Sequence, residues 1–416
     1  MAEKKERDGR DIRDVRLQGP LAVKTDGFLS KRIIDMPMRD AVFGEARRAF
    51  VNRDDDECPW DGQWRGEFWG KSMICAARAS DYLGNIERTE SNAIGGVGIS
   101  DRLLGAENFP YASTEVCDVV HWIRLNVDLY LVTGDDRYLN AIEFSYFNAY
   151  LASIYRNFAW APLVVRDAGR HRHSLGQCGY SYNHCCVDNV ARSIFDVASI
   201  VVTREENGTF HVNLYQDATV ALDGIRFEIT GNYPANKCVS VKVQGRLPDG
   251  SVPKVCFRKP DWCPALDVSR DADGTYRLTF DMNPRLVERI AKQSPATAEA
   301  AKTRAFGADR YIFVTDTDLR KSLPTEAYAT LMWGPLVLAR SVRLGARRQD
   351  LEEFKSVNGK GCQVRVEPIA AQGVYAPFAV EIVKPGKETV FTKACSYESA
   401  GDDPAGRNGY IFSVRF

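Results

Sequence analysis

The hydrophobic period of this chain changes once, near Glu205, and that change constrains the fold more than any other feature. Before it, apolar residues recur at helical spacing. "STEVCDVVHWIRLNVDLYLVTG" (113–134) sets Val116, Val119, Val120, Ile123, Val127 and Tyr130 on one stripe behind a Ser113/Thr114 cap. Gly134 stops that helix, Asp135/Asp136 recap, and "RYLNAIEFSYFNAYLASIY" (137–155) continues as a second amphipathic helix, predicting a helical hairpin. A third helix is predicted from Asp188 or Asn189 to about Val201, with Val190, Ile194, Val197 and Val201 in register, and a fourth over 66–84, ended by Gly84.

After "REENG" (204–208) the period drops to two. "TFHVNLY", "ATVAL", "IRFEIT", "VSVKVQG", "VPKVCFR" and "TYRLTFDM" are short alternating or β-branched runs, separated by Asp-Gly, Asn-Gly or proline turns. "TLMWGPLVLAR", "FAVEIV" and "GYIFSVRF" extend the pattern to residue 416. The segment 286–310 reads as a polar helical excursion or loop. The prediction is a helical domain over 1–204, then a β-sandwich region over 205–416.

Composition narrows the function classes. With 55 acidic and 55 basic residues, no global field recruits nucleic acid or an anionic membrane. The opening "MAEKKERDGRDIRDVR" is a solvated charge run, and no stretch of about 18 apolar residues occurs, so a cytoplasmic protein with neither signal peptide nor membrane span is expected. In a reducing compartment, eleven cysteines suggest free thiols or metal ligands rather than a disulfide frame.

"YSYNHCCVDNVAR" (180–192) then raises a chemical question, because adjacent cysteines close a strained ring if they pair. Either Cys185 and Cys186 are incidental, as buried thiols often are, or both sulfurs point at something. "TEVC" supplies Glu115 and Cys117; one hard oxygen and three soft sulfurs suit tetrahedral zinc. Residues two apart diverge on a regular helix, so Glu115 and Cys117 converge only at a frayed first turn behind Ser113/Thr114. Cys185 and Cys186 likewise precede the Asp188/Asn189 cap, and two helix N-termini would lower the thiol pKa values. The alternative is that all four residues merely decorate helix starts.

Taken in order, several stretches resemble glycoside hydrolase family 127 (GH127), the β-L-arabinofuranosidases. They are "GPLAVKTDGFLSKRI", "WRGEFWGK", "GGVGISDRLLGAENF", the 113–154 hairpin, "YNHCCVDNVAR", "FHVNLYQDATVALDGIRFEITGNYP", "FRKPDWCP" and "WGPLVLAR". The resemblance implies a helical (α/α)6 barrel followed by an antiparallel β-sandwich. It implies zinc bound by Glu115, Cys117, Cys185 and Cys186, with Cys185 as nucleophile. Glu107 would be the general acid/base, although Ala106 separates it here from the glycine that directly precedes the family's glutamate. The implied activity is retaining hydrolysis of β-L-arabinofuranosides, releasing L-arabinose, with an arabinofuranoside-containing glycan as partner.

Tyr182, His184, Glu67 and Trp69 are candidate sugar contacts beside Tyr180 and Trp64. Asn189 and Arg192 are candidate braces of the Cys-Cys turn. His171 and His173, in "GRHRHSLG", read as a solvated loop. Family members are longer: here about two dozen residues separate "WRGEFWGK" from "GGVGIS", so an apparent deletion near 85–96 removes part of the barrel. Apolar faces left bare would favour a homo-oligomer. Two other classes compete. One is a non-catalytic, zinc-stabilised carbohydrate-binding or scaffold protein. The other, a peptide-cleaving cysteine hydrolase, would need a histidine paired with Cys185, and His184 is too close in sequence to serve.

Overall fold

The computed structural model describes residues 7–8, 15–28, 91–97, 113–156, 158, 161–171, 185–289, 328–352, 361–383, 385–402 and 409–416. The predicted helix at 66–84 lies outside them.

Helix Val116–Thr133 buries Val116, Val119, Val120, Ile123, Val127 and Tyr130, the stripe that the 3.6-residue period demands. Gly134 ends it in the left-handed conformation, with φ of 66°, and returns its N–H to the Tyr130 carbonyl. Asp135 caps helix Asp136–Ser145 by accepting from the Arg137 amide at 3.0 Å. One wider turn, Tyr146–Tyr150, continues that helix. The start of the first helix differs from expectation. Ser113–Glu115 is a strand paired antiparallel with Val164–Arg166, and Glu115, not Ser113 or Thr114, is the N-cap. The third helix, Cys185–Ser199, begins at the cysteines themselves, so Asp188 lies in its first turn and neither Asp188 nor Asn189 is its cap.

Beyond residue 200 the described chain is mainly sheet. Alternation is literal in Ala218–Leu222 and Ile225–Thr230, where Ala218, Val220, Leu222, Ile225, Phe227 and Ile229 are buried. A six-stranded antiparallel sheet runs in the order Leu266–Arg270, Tyr276–Phe280, Cys238–Gln244, Ile225–Thr230, Ala218–Leu222, Val15–Leu17. A second sheet joins Arg7–Asp8, Val202–Glu205, Phe210–Val212 and Val255–Phe257, the last pair parallel. A third centres on Leu336–Ser341, a strand buried along its whole length. Among the described residues, three strands from before residue 204, Arg7–Asp8, Val15–Leu17 and Ala168–Gly169, therefore join sheets whose other members come later. Pro284–Arg289 is an edge strand of the third sheet, which corrects the start of the segment read as a helical excursion or loop; its remainder, 290–310, lies outside the described residues.

One apolar core runs through both the helices and the sheets. At their junction Glu143 and Arg258, whose side chains are each 1% exposed, form an ion pair at 2.8 Å. Tyr233 donates its hydroxyl to Glu143 at 2.7 Å and Trp262 its indole N–H at 3.1 Å, while Arg258 reaches Asn140 Oδ1 and the Asn213 carbonyl, both at 2.7 Å. Burial is the largest single influence on Arg258 and opposes its charge, but Glu143, Tyr233 and Tyr215 together lift the guanidinium pKa above its ordinary value. His171 is buried against Tyr397 and Phe412 and accepts from the Arg166 amide, so it does not belong to a solvated loop.

Candidate metal centre

Two chain reversals build the site. The strand Ser113–Glu115 turns into a helix at Val116, whose amide is held by the Leu163 carbonyl at 3.0 Å. Glu115 keeps an extended backbone (φ −65°, ψ 139°) while Cys117 sits in the first helical turn. That change of conformation lets residues two apart converge, which a continuous helix forbids. The other reversal starts helix Cys185–Ser199, which packs along the first and buries Val190, Ile194 and Val197. Ser193 and Tyr150 tie the bundle by donating to the carbonyls of Val120 and Val190, at 3.4 and 2.6 Å.

The donor atoms of Glu115, Cys117, Cys185 and Cys186 all lie within 4.8 Å of one another. Cys117 Sγ is 3.5 Å from Cys186 Sγ, Cys185 Sγ is 3.8 Å from Cys186 Sγ, and Glu115 Oε1 is 3.4 Å from Cys186 Sγ. A zinc tetrahedron with bonds of about 2.3 Å to sulfur and about 2.1 Å to oxygen has edges of about 3.5–3.8 Å. The residues fit the ion. Cys117 and Cys186 are buried, while Cys185 is partly exposed.

Electrostatics makes the same point. Cys117 is held well above the ordinary thiol pKa, first by its contact with Cys185, then by burial and the Glu115 charge, against an opposing contact with Cys186. The helix N-termini alone therefore do not produce the expected lowering at Cys117. A cluster of sulfurs around a carboxylate needs a cation to ionise.

Asn189 supplies a contact that spacing does not reveal. It donates Nδ2 to Cys117 Sγ at 3.1 Å and accepts from Arg192 at 2.9 Å, bracing the opposite helix rather than capping its own. Asn92 donates to Thr114 Oγ1 at 2.5 Å, and its Oδ1 accepts from the amides of Ile94 and Gly96. A Cβ on Gly96 would lie 2.4 Å from Thr114 Oγ1, so only glycine lets this turn close beside the site. Glu107, Tyr182, His184, Glu67 and Trp69, with Trp64, Tyr180 and His173, lie outside the described residues.

Arg124 and Asp196 link the outer faces of the two helices at 3.3 Å. Burial raises the Asp196 pKa to about 6, with Asp128 adding to the rise and Arg124 and Arg192 opposing it. A carboxyl whose folded pKa exceeds its unfolded value of about 3.9 takes up protons on folding, so its contribution falls as pH rises from about 4 to 6. Asp196→Asn is expected to raise the melting temperature by about 2 °C or more near pH 7.5 and to lose that advantage near pH 4. An equal effect at both pH values would remove the titration from the account.

Residues 70–199 match the family model for the beta-L-arabinofuranosidase GH127 catalytic domain. Over that stretch the chain is GH127-like. The match contains all four cluster residues and Glu107. No curated protein matches the chain. Among solved structures, it is similar to a GH127 beta-L-arabinofuranosidase from Geobacillus stearothermophilus T6, with 14% identity and a TM-score of 0.52, over 84% of this chain and 59% of that one. A GH127 beta-arabinofuranosidase gives 19% identity and 0.50, over 84% and 58%. A structure described as a glycoside hydrolase gives 15% and 0.51, over 84% and 64%. At these identities the likeness shows the fold, mixed helix and antiparallel sheet. The chain spans about three fifths of the length of these GH127 structures. No described helix is long and apolar enough to cross a membrane.

Proposed function

We propose that this protein is a zinc-dependent, retaining β-L-arabinofuranosidase in which Cys185 is the nucleophile. The observation that carries the reading is the convergence of a carboxylate and three sulfurs within the GH127-like segment, with one of the three cysteines partly exposed. On this reading residues 1–204 are a shortened (α/α)6 catalytic unit, with helices missing near 85–96, and residues 205–416 are the β-sandwich.

Glu115, Cys117, Cys185 and Cys186 would hold the zinc, whose charge would keep the Cys185 sulfur a thiolate at neutral pH. The Cys185 sulfur attacks the anomeric carbon, forming a carbon–sulfur bond as the glycosidic carbon–oxygen bond breaks. Glu107 gives its proton to the departing oxygen, then takes one from the water that displaces the sulfur. Two inversions at one carbon retain the β configuration. The segment carrying Glu107, 98–112, departs from Val97 and returns at Ser113, and the Asn92–Thr114 hydrogen bond ties the flanking chain together beside Glu115. Cys117 and Cys186 are too buried to attack, and Asn189 holds Cys117 in place.

The test is zinc-loaded protein with an aryl β-L-arabinofuranoside, reading L-arabinose and its first-formed anomer by proton NMR. Release of the β anomer is expected; no release, or the α anomer, would defeat the mechanism. A second reading, a zinc-stabilised carbohydrate-binding or scaffold protein, draws on the reduced length relative to the GH127 structures. It predicts sugar binding without release.

A further inference from the structure

A cavity of about 360 Å³ lies where helices Val116–Thr133 and Asp136–Ser145 meet the sheet strands Pro284–Arg289 and Tyr328–Trp333. It is not the cysteine cluster. Trp122, in its wall, is five residues beyond Cys117, which on a helix is about 140° around the axis and about 7.5 Å along it. The space is in the range of small-ligand pockets and its wall mixes aromatic with polar groups.

The wall is built, not incidental. Trp262 is pinned by its indole N–H on Glu143, itself 1% exposed and fixed by Arg258 and Tyr233. Asn140 spends its carbonyl oxygen on Arg258 Nη1 and the Asp261 amide, which turns its NH2 group to other use. Arg285 makes a 3.1 Å hydrogen bond to the Gly334 carbonyl. Arg285 and Asp261 both line the cavity; burial lowers the Arg285 pKa and the Asp261 charge partly restores it.

We propose that this cavity is a second carbohydrate site, taking one neutral sugar unit with adjacent hydroxyls. A polyol fits both charges at once: one hydroxyl oxygen accepts from Arg285 or Asn140, and a neighbouring hydroxyl donates to Asp261. The Trp122 and Trp262 rings cover its C–H faces. An anion would satisfy Arg285 but face Asp261, and an apolar ligand would strand both. The class of ligand rests on the carbohydrate reading above; the location does not.

The experiment is a ligand-observed NMR titration of zinc-loaded protein with L-arabinose, with D-glucuronate as the anionic comparison, run beside the hydrolysis assay. Wild type and Cys185→Ser are expected to bind arabinose alike, and Asp261→Ala to bind it at least tenfold more weakly while hydrolysis of a small aryl arabinofuranoside persists. Ala141→Phe fills the space without altering charge, and it should weaken binding too, guarding against a folding defect in the charge variant. The proposal falls if binding survives both cavity variants, if Cys185→Ser alone abolishes it, if wild type binds no arabinose, or if glucuronate binds more tightly. Hydrolysis without cavity binding sinks this site and spares the proposed activity. Cavity binding without hydrolysis does the reverse.

Discussion

Cys117→Ser is expected to lower zinc in purified, folded protein from about one ion per chain to nearly none. Cys117 is 3% exposed and its sulfur sits 3.5 Å from Cys186. Serine is shorter, harder and resists ionisation, and a hydroxyl cannot span the gap without moving the helix start that Asn189 braces. Zinc held by such a donor set is worth on the order of 10 kcal/mol, and the loss of one ligand in four removes much of that. Metal analysis of matched preparations reads the effect. A second measurement sharpens it: chelation should lower the melting temperature of wild type and leave the variant unmoved. A well-folded wild type without zinc would make the four groups a buried thiol cluster and end the hydrolase reading.

Glu143→Ala is expected to destabilise the protein by about 3–5 kcal/mol, the usual cost of leaving a buried charge without its partner. The change strands Arg258, 5% exposed, and removes the acceptor for Tyr233 and Trp262. Tyr233 is not expected to ionise in response, since burial, the first cause of its raised pKa, persists when Glu143 is gone. Arg258→Met should cost less, because Glu143 keeps two hydrogen-bond donors, Tyr233 and Trp262. The double variant Glu143→Leu/Arg258→Met should recover most of the loss, because no charge is then left unpaired. Urea unfolding of the four proteins reads the comparison. A loss under about 1 kcal/mol for Glu143→Ala would mean that the junction is held by apolar burial alone.

Local periodicity identified much of the described fold. The buried stripe of Val116–Thr133, the Gly134 stop, the Asp135 cap and the alternating strands after Glu205 were all legible, because each depends on residues within a few positions of one another. Helix starts were not. Ser113 and Thr114 look like caps, yet pairing with Val164–Arg166 draws them into a strand, and a partner fifty residues away leaves no local signal. The same holds for Val15–Leu17, whose place in a sheet is decided by Ala218–Val220.

The cluster divides in the same way. The sequence by itself determined the donor types, one carboxylate and three thiols, a set that suits a borderline-soft cation where the donors converge. It also determined the GH127 resemblance that the family match bears out over residues 70–199. Only the tertiary structure decided that the four donor atoms meet within 4.8 Å, that Cys185 is the least buried of the three cysteines, and that Asn189 serves Cys117 on the neighbouring helix. It alone made a cavity of Trp122, Asn140, Asp261, Trp262 and Arg285, which no motif joins. The physical reason is distance along the chain: bonding preferences are carried by each residue, whereas convergence depends on the packing of elements dozens of residues apart.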